Sequence, residues 1–254
     1  MIRTLRNVSI LMILSLLAVA AAAAAQGING SRAIEDGATQ LKGSAAGELD
    51  AEIYLSVKEE DEEGEVIIEV EGEFEDGESG LRNLVIMDPR GRVTARIKAR
   101  ARGLSDFILE SPDPGLRAIL LAFPEGEYTF TGKTRTGDEV VGTAELSHDV
   151  PDAAELLTPE PDSTVSISEP LVISWTEVDD ADAYIVEVEV VQEGADGEDD
   201  FEAEWILEVP GDFTSVTIPA ELTLPDAEYA VEIAVEGDES ENFSVTEAEF
   251  STEE

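Results

Sequence analysis

Apolar and polar side chains alternate in short runs between residues 48 and 149. The first two runs keep their apolar residues at alternate positions: Ile53, Leu55 and Val57, then Val66, Ile68, Val70 and Phe74. A period of two puts one set of side chains on each face of a strand, so both runs predict half-buried strands. Turns rich in Gly and Pro separate these runs from later ones, and this spacing predicts a β-sandwich domain over 48–149.

Two local signals refine this prediction. The segment Asp88-Pro89-Arg90-Gly91 has Pro at the second turn position and Gly at the fourth, which predicts a hairpin between the flanking runs. Residues 116–123 carry apolar side chains at helical spacing, so the pattern is consistent with either a short helix or a strand.

A proline-rich segment then interrupts the pattern. Pro151 and Pro159 bracket a stretch of acidic and small residues, which predicts a linker over 150–158 and a second domain over 159–254. In that second domain two runs have apolar side chains at alternate positions: Tyr184, Val186, Val188 and Val190, then Tyr229, Val231, Ile233 and Val235. Two apolar faces of this kind predict two sheets packed against each other.

Five segments with recognisable signals follow one another in residues 159–254. An early strand, 171–175, ends in Trp175; the strand 181–188 contains Tyr184; two middle segments, 209–211 and 213–219, come next; and 224–233 surrounds Tyr229. In this order they resemble a fibronectin type III domain. The resemblance implies a two-sheet sandwich with Trp175, Tyr184 and Tyr229 in its structural core. It also implies a tyrosine corner at Tyr229, whose buried hydroxyl needs a backbone partner.

One position departs from the family pattern, because Thr223 stands where a Leu usually precedes the proline of the corner by two residues. The segments 88–92, 123–128 and 142–151 of the first domain are similar to the N-terminal halves of exported bacterial proteins. Fibronectin type III domains serve spacing, adhesion and docking, so both resemblances imply architecture rather than a particular activity.

The first 26 residues have the layout of a secretory signal peptide. Arg3 and Arg6 precede an apolar run over 8–17, and small residues with an Ala-x-Ala pattern lead to Gln26. An uncleaved anchor is the alternative, because the apolar stretch approaches the length of a short membrane span. Residues 27–47, rich in Gly, Ala and Ser, predict a flexible spacer. We expect an exported protein, periplasmic or extracellular, with no membrane span after cleavage.

Charge narrows the choice of partners. The chain carries 59 acidic and 15 basic residues, a net charge of −44, whereas a small domain usually stays within about 8 charges of neutrality. Such a surface repels nucleic acid and anionic membranes on average. It is also typical of proteins adapted to a salty medium, where screening shortens charge repulsion.

Residues for catalysis or metal binding are scarce. The chain has no Cys, and its single histidine, His148, stands between Ser147 and Asp149. Adjacent residues of a strand point to opposite faces, so these three do not predict a catalytic triad. We expect no enzymatic activity, and an unrecognised hydrolase is the alternative.

Acidic segments at 59–65, 196–200 and 238–241 offer oxygen ligands for a metal ion, but none has the spacing of a calcium loop. No cofactor is expected, with calcium as the alternative.

Basic residues concentrate on one predicted strand. They occupy even positions, so a strand would place them on a single face: Arg92, Arg96, Lys98, Arg100 and Arg102. This stripe has two interpretations. It is either a site for an anionic ligand, such as a sulfated or uronic polysaccharide, or one side of a charge ladder against the glutamates of residues 65–75. The acidity of the chain favours the ladder.

The sequence therefore predicts an all-β protein with two tandem β-sandwich domains, the second of fibronectin type III type, after a signal peptide. The predicted function is a non-enzymatic interaction or scaffold protein of the bacterial envelope or extracellular space. Its predicted partner is an unidentified protein or an anionic polysaccharide, and not nucleic acid. A carbohydrate-binding or calcium-dependent adhesion accessory protein is the alternative.

Overall fold

The computed structural model describes residues 49–58, 63–72, 80–99, 104, 106–111, 115–168, 170–192, 201–238 and 240–253. These residues form fifteen strands and one short α-helix, which confirms the predicted all-β class. The predicted signal peptide and spacer lie outside the described residues. The fold divides into two compact units. The first comprises the described residues within 49–52, 68–109 and 127–144, and the second comprises those within 53–67, 110–126 and 145–254.

The first half of the chain supplies seven strands and the helix. Their bounds are β1 Leu49–Lys58, β2 Glu63–Gly72, β3 Leu81–Met87, β4 Val93–Lys98, β5 Asp106–Glu110, α1 Leu116–Ala122, β6 Gly126–Thr134 and β7 Glu139–Leu146. The helix settles the choice that the sequence left open at 116–123, and Ile119 is its buried residue.

Four of these strands form a sheet in the order β4-β3-β6-β7. Its buried face is lined by Leu84, Ile86, Phe130 and Val140, whereas alternate residues of β4 and β7 are exposed, as the period of two requires. Gly142 of β7 lies against β1, since a Cβ there would come within 2.5 Å of the Leu49 carbonyl oxygen. This close approach packs the start of β1 onto the four-stranded sheet.

The hairpin between β3 and β4 turns where the sequence predicted. The Gly91 N–H donates to the Asp88 carbonyl at 2.8 Å, and Gly91 has a positive φ of 74° that suits glycine. The Asp88 carboxylate closes the turn from inside, because its Oδ1 accepts the N–H groups of Arg90 and Arg92 at 3.0 and 2.7 Å. The turn is therefore held by a buried carboxylate as well as by its backbone.

The second half of the chain supplies eight strands. Their bounds are β8 Leu156–Thr158, β9 Thr164–Ser166, β10 Leu171–Trp175, β11 Ala181–Gln192, β12 Phe201–Pro210, β13 Ser215–Ile218, β14 Glu228–Gly237 and β15 Phe243–Glu253. One sheet has the order β13-β10-β8, and the facing one contains β12-β11-β14-β15. The short strand β9 runs parallel to β15. Three strands packed against four in this order is a fibronectin type III-like arrangement, and this confirms the predicted fold of the second domain.

One pairing was not predicted. Residues 56–58 of β1 run parallel to β15, with Ser56 opposite Phe243 and Lys58 opposite Val245. Tyr54 packs edge-on against Phe243, with ring centroids 5.5 Å apart, and the Leu55 N–H donates to Asn242 Oδ1 at 2.7 Å. Residues 53–58, which the sequence assigned to the first domain, thus add a strand to the last sheet of the chain. The predicted domain limits otherwise stay a prediction.

Aromatic side chains fill the space between the two sheets of the sandwich. Trp175 and Tyr184 are 1% and 0% exposed, with ring centroids 5.3 Å apart, and the Tyr184 hydroxyl accepts the Val178 N–H at 2.9 Å. Tyr229 stacks on Phe250 at 5.0 Å. Each ring therefore combines burial of apolar area with a defined neighbour, which specifies one way of packing the sheets.

The corner before β14 accommodates the departure at Thr223. The Tyr229 hydroxyl accepts the Leu224 N–H at 2.8 Å, as a tyrosine corner requires. Thr223 is buried, and its hydroxyl donates to the Ala220 carbonyl at 2.9 Å within a 3₁₀ turn, Ala220–Leu222. A polar side chain is tolerated there because its hydroxyl forms a local hydrogen bond.

In the described part of the chain, no helix is long and apolar enough to cross a membrane.

We expect Trp175→Ala to lower the free energy of unfolding of the sandwich by about 3 to 5 kcal/mol, because it removes a fully buried large aromatic side chain. Tyr229→Phe should cost about 1 to 3 kcal/mol, since it leaves the Leu224 N–H without its acceptor. Urea unfolding followed by tryptophan fluorescence and circular dichroism measures both. Phe213→Ala is the control, because that ring is 50% exposed; a loss there as large as at Trp175 would contradict this packing.

Candidate functional site

A groove of about 450 Å³ lies on the exposed face of the β4-β3-β6-β7 sheet. Four basic residues border it: Arg82 of β3, Arg96 and Lys98 of β4, and Lys133 of β6. Asn83 and Val85 of β3 form its floor, and Ala99 and Gly137 complete the lining. In a chain with only 15 basic residues and 59 acidic ones, four cations around one groove are a local exception to the acidic character of the protein.

Strand register places these side chains together. Asn83 stands opposite Lys98 on one side and Lys133 on the other, and Val85 stands opposite Arg96. Residues directly opposite in an antiparallel pair point to the same face, so Lys98, Asn83 and Lys133 make one row across three strands. By strand geometry, the cations are spaced roughly 7 Å apart along β4 and roughly 10 Å apart across the row.

Three of the four cations have no carboxylate partner within the described part of the chain. Among the described residues, no carboxylate oxygen lies within 4.0 Å of the charged groups of Arg82, Arg96 or Lys98. Lys133 pairs with Glu139 at 3.1 Å, but both side chains are more than half exposed. A pair of that kind is worth little and is easily exchanged. The groove therefore presents positive charge that an incoming anion can use.

Arg92, the first residue of the predicted stripe, lies outside the groove. Its Nε and Nη2 atoms each lie 2.7 Å from Asp88 Oδ2. Burial of Asp88 acts to raise the pKa of its carboxyl, but the hydrogen bonds and charge of Arg92 outweigh burial, so the pKa is lower than the usual 3.8. Arg92 thus belongs to the turn. Arg100 and Arg102 lie outside the described residues.

The predicted charge ladder is wrong. It required β4 to share a sheet with the glutamates of residues 65–75, but β4 pairs with β3 at the edge of the four-stranded sheet. Strand β2, which carries Glu65 and Glu69, belongs to the sheet that contains β1 and β15. Alternation within β2 and β4 showed which side chains share a face, but it held no information about which strands are neighbours.

Sequence reasoning found Arg96 and Lys98 but missed Arg82 and Lys133. The two missed residues lie on other strands. The β3–β6 register brings Lys133 to the groove, and Arg82 borders the groove at the register shift of β3 between Leu81 and Asn83. A signal was present in that Lys133 follows the alternating run 126–132 on its polar side. It would have marked Lys133 as exposed without naming its neighbours.

Ser147, His148 and Asp149 are not arranged as a catalytic triad. The His148 ring lies 2.7 Å from the Phe123 carbonyl oxygen through Nε2, which donates to it, and the His148 N–H donates to Glu125 at 3.1 Å. The Ser147 hydroxyl accepts the Asp149 N–H at 3.0 Å. His148 therefore fastens the chain after β7 to the segment that follows α1.

Comparison with known proteins yields similarity in fold alone. No family model matches the chain, and no curated protein does. Among solved structures, the FN1–FN3 domains of chicken CNTN1 are 8% identical, with a TM-score of 0.34; the match covers 82% of this chain and 65% of that one. The fibronectin(III)-like modules of Clostridium thermocellum CbhA are 10% identical, with a TM-score of 0.33, covering 84% and 92%. The assignment of the sandwich rests on its strand order.

The turn around Asp88 should make stability depend on pH. The folded-state pKa of Asp88 is lowered, so its contribution is present above pH 3.8 and is lost as the pH falls through the folded-state value. We expect Asp88→Asn to lower the melting temperature at pH 7, and the difference from the wild type to shrink toward pH 2. Asp149→Asn, at an exposed position, is the control. A difference that is constant from pH 7 to pH 2 would contradict the assignment.

Proposed function

We propose that this protein is an exported, non-enzymatic interaction or scaffold protein of the bacterial envelope or extracellular space, and that its basic groove binds acidic segments of a polysaccharide. The observation that carries the second part is the set of four cations around one groove, three of which have no carboxylate partner among the described residues. The sandwich supports the first part, because fibronectin type III-like domains serve as scaffolds and docking modules.

Protection of a sheet edge is the competing explanation for the basic residues. Strand β4 is an edge strand, and natural proteins often place Lys or Arg on such edges to prevent pairing with another chain. This explanation covers Arg96 and Lys98. It does not cover Arg82 on β3 or Lys133 on β6, because both strands are internal to the sheet. The convergence of three strands on one groove favours a ligand.

The spacing of the cations favours a polymer over a single small anion. A lone phosphate is usually held by converging backbone N–H groups, which a sheet face does not offer. Charges roughly 7 to 10 Å apart instead suit a ligand with several separated anionic groups. The groove volume of about 450 Å³ lies within the usual range for small-molecule sites. A short segment of a sulfated or uronic chain is therefore the ligand class that fits.

The acidity of the molecule does not prevent such binding. At physiological ionic strength, charges separated by more than about 8 Å are largely screened, and at 1 M salt this distance falls to about 3 Å. A polyanion in the groove therefore interacts mainly with the cations beside it. In a salty medium the acidic surface elsewhere is screened, although direct contacts in the groove also weaken.

Binding to an anionic glycan resin tests this proposal. We expect the mature protein to be retained on heparin resin near 50 mM salt and to elute as salt increases. Arg96→Glu combined with Lys98→Glu should abolish retention while circular dichroism and the melting transition stay those of a folded protein. Arg90→Glu combined with Arg117→Glu, both exposed and outside the groove, makes the same change in net charge and should leave retention intact. A wild type that does not bind, or a control that loses binding equally, would contradict the proposal.

The export part of the proposal is tested separately. Fractionation of cells that express the full chain should place the protein outside the cytoplasm, and intact-mass measurement should show a mature chain that begins near Gln26. Replacing Arg3 and Arg6 with Glu should leave uncleaved protein inside the cell, because the basic start of the leader is lost. A full-length product held in the membrane would instead identify the leader as an anchor.

A further inference from the structure

Three glutamates meet on the face of β11 and β12 that points away from the sandwich core. Glu187, Glu189 and Glu204 each place a carboxyl oxygen within 4.8 Å of the others. Glu189 stands directly opposite Glu204, and Glu187 is two residues before Glu189 on the same face. Glu232 of β14 stands opposite Glu187 from the other side. The cluster is thus built into strand pairing and differs from the acidic segments at 59–65, 196–200 and 238–241 that the sequence suggested for calcium.

Burial distinguishes this cluster from an ordinary acidic surface. Glu187 is only 2% exposed, and no described residue forms a hydrogen bond with its Oε2 atom. Glu189 is half-buried, and Glu204 is exposed on the edge strand β12. A buried carboxyl oxygen without a partner is costly and needs an explanation, such as an ion that it binds. The exposed edge at Glu204 offers such an ion a route from solvent.

The strands around the cluster offer no positive side chain. Strands β11, β12 and β14 contain no Lys, Arg or His. On the same face, Lys58 forms an ion pair with Glu247 of β15, which lies one strand beyond Glu232. This ion pair holds the lysine two strands away from Glu187. A proton or a bound cation must therefore relieve the repulsion between the carboxylates of the cluster.

We propose that Glu187, Glu189 and Glu204 form a binding site for a divalent cation of the calcium type. All three ligands are carboxyl oxygens, which hard cations prefer. Calcium binds oxygen at about 2.4 Å, so two ligands on opposite sides of the ion are about 4.8 Å apart, and the separations in the cluster stay within that limit. Water and Glu232, which stands opposite Glu187, would complete the coordination.

The ligand set also indicates the strength of binding. Three carboxylates without loop carbonyls make a smaller and more exposed set than a dedicated calcium loop. We therefore expect a dissociation constant on the order of 10⁻⁴ to 10⁻³ M, the range of extracellular calcium modules. Such a site would be filled in a medium rich in divalent salts, and the cation would then join β11 to β12.

A shared proton is the competing explanation. Burial, a hydrogen bond with Glu204 and the charge of Glu232 together raise the pKa of Glu187 to about 9. A protonated Glu187 would relieve the repulsion without a metal ion. In that case calcium would have no effect beyond screening, and Glu187→Gln, which keeps the shape and removes the charge, would simply stabilise the fold.

Thermal unfolding of the full mature protein at pH 7.5 separates the two explanations. Calcium chloride up to about 10 mM should raise the melting temperature by a few degrees in a saturable manner, beyond sodium chloride of equal ionic strength. Glu187→Gln should abolish the saturable gain, as should Glu204→Gln, which changes only an exposed side chain. Glu249→Gln removes one carboxylate from the same face, two strands from Glu189, and should keep the gain.

A direct binding measurement completes the test. Terbium, which replaces calcium, should give emission sensitised by tryptophan, because Trp205 adjoins Glu204 in β12. Excess calcium should quench this emission, and Glu204→Gln should remove it. Equal stabilisation by sodium chloride, or a full calcium response in Glu204→Gln, would overturn the site. A calcium-insensitive wild type that Glu187→Gln stabilises would assign the cluster to a shared proton. Either result would leave the basic groove untouched, because the groove is tested by glycan binding.

Discussion

Packing of the β13-β10-β8 sheet against the β12-β11-β14-β15 sheet around Trp175 and Tyr184 is the interaction on which the second half of the chain depends. The two rings are buried and lie 5.3 Å apart, and the apolar side chains of β11 and β14 surround them. This contact commits one face of each strand to the core. The glutamates at alternate positions of β11 must then lie on the opposite face, where Glu187 and Glu189 meet Glu204. Core packing therefore positions the cluster for which we propose a cation.

The same constraint sorts charge in the four-stranded sheet. Leu84 and Ile86 of β3 are buried, so Asn83 and Val85 face outward and form the floor of a groove whose borders are basic. The exposed face of the four-stranded sheet thus carries basic residues, whereas the outer face of β11 and β12 carries acidic ones. Each charged cluster follows from strand alternation combined with a particular register, and neither depends on a long loop. Sites built on strands hold their side chains at nearly fixed spacing, which suits ligands with several charges.

The candidate residues fall into two groups: some are positioned by interactions between residues close in the chain, and others by interactions between distant segments. Alternation alone predicted that Arg96 and Lys98 share a face, and both are exposed at the groove. It also joined Arg92 to them, but the carboxylate of Asp88, four residues away, holds that guanidinium at the turn. The predicted ladder failed because β4 pairs with β3. Lys133 reaches the groove only through the β3–β6 register, which depends on contacts between segments distant in the chain.

The sequence by itself determined the strands of the sandwich, the burial of Tyr229 at a corner, and the hairpin turn at Gly91. All of these arise from local physics: a period of two, the φ angle of proline, the tolerance of glycine for positive φ, and the need of a buried hydroxyl for a partner. Only the tertiary structure decided that residues 53–58 join β15 and which charges gather on each face. Pairing and register depend on which distant segments pack together, and alternation along a strand is the same whatever its neighbour.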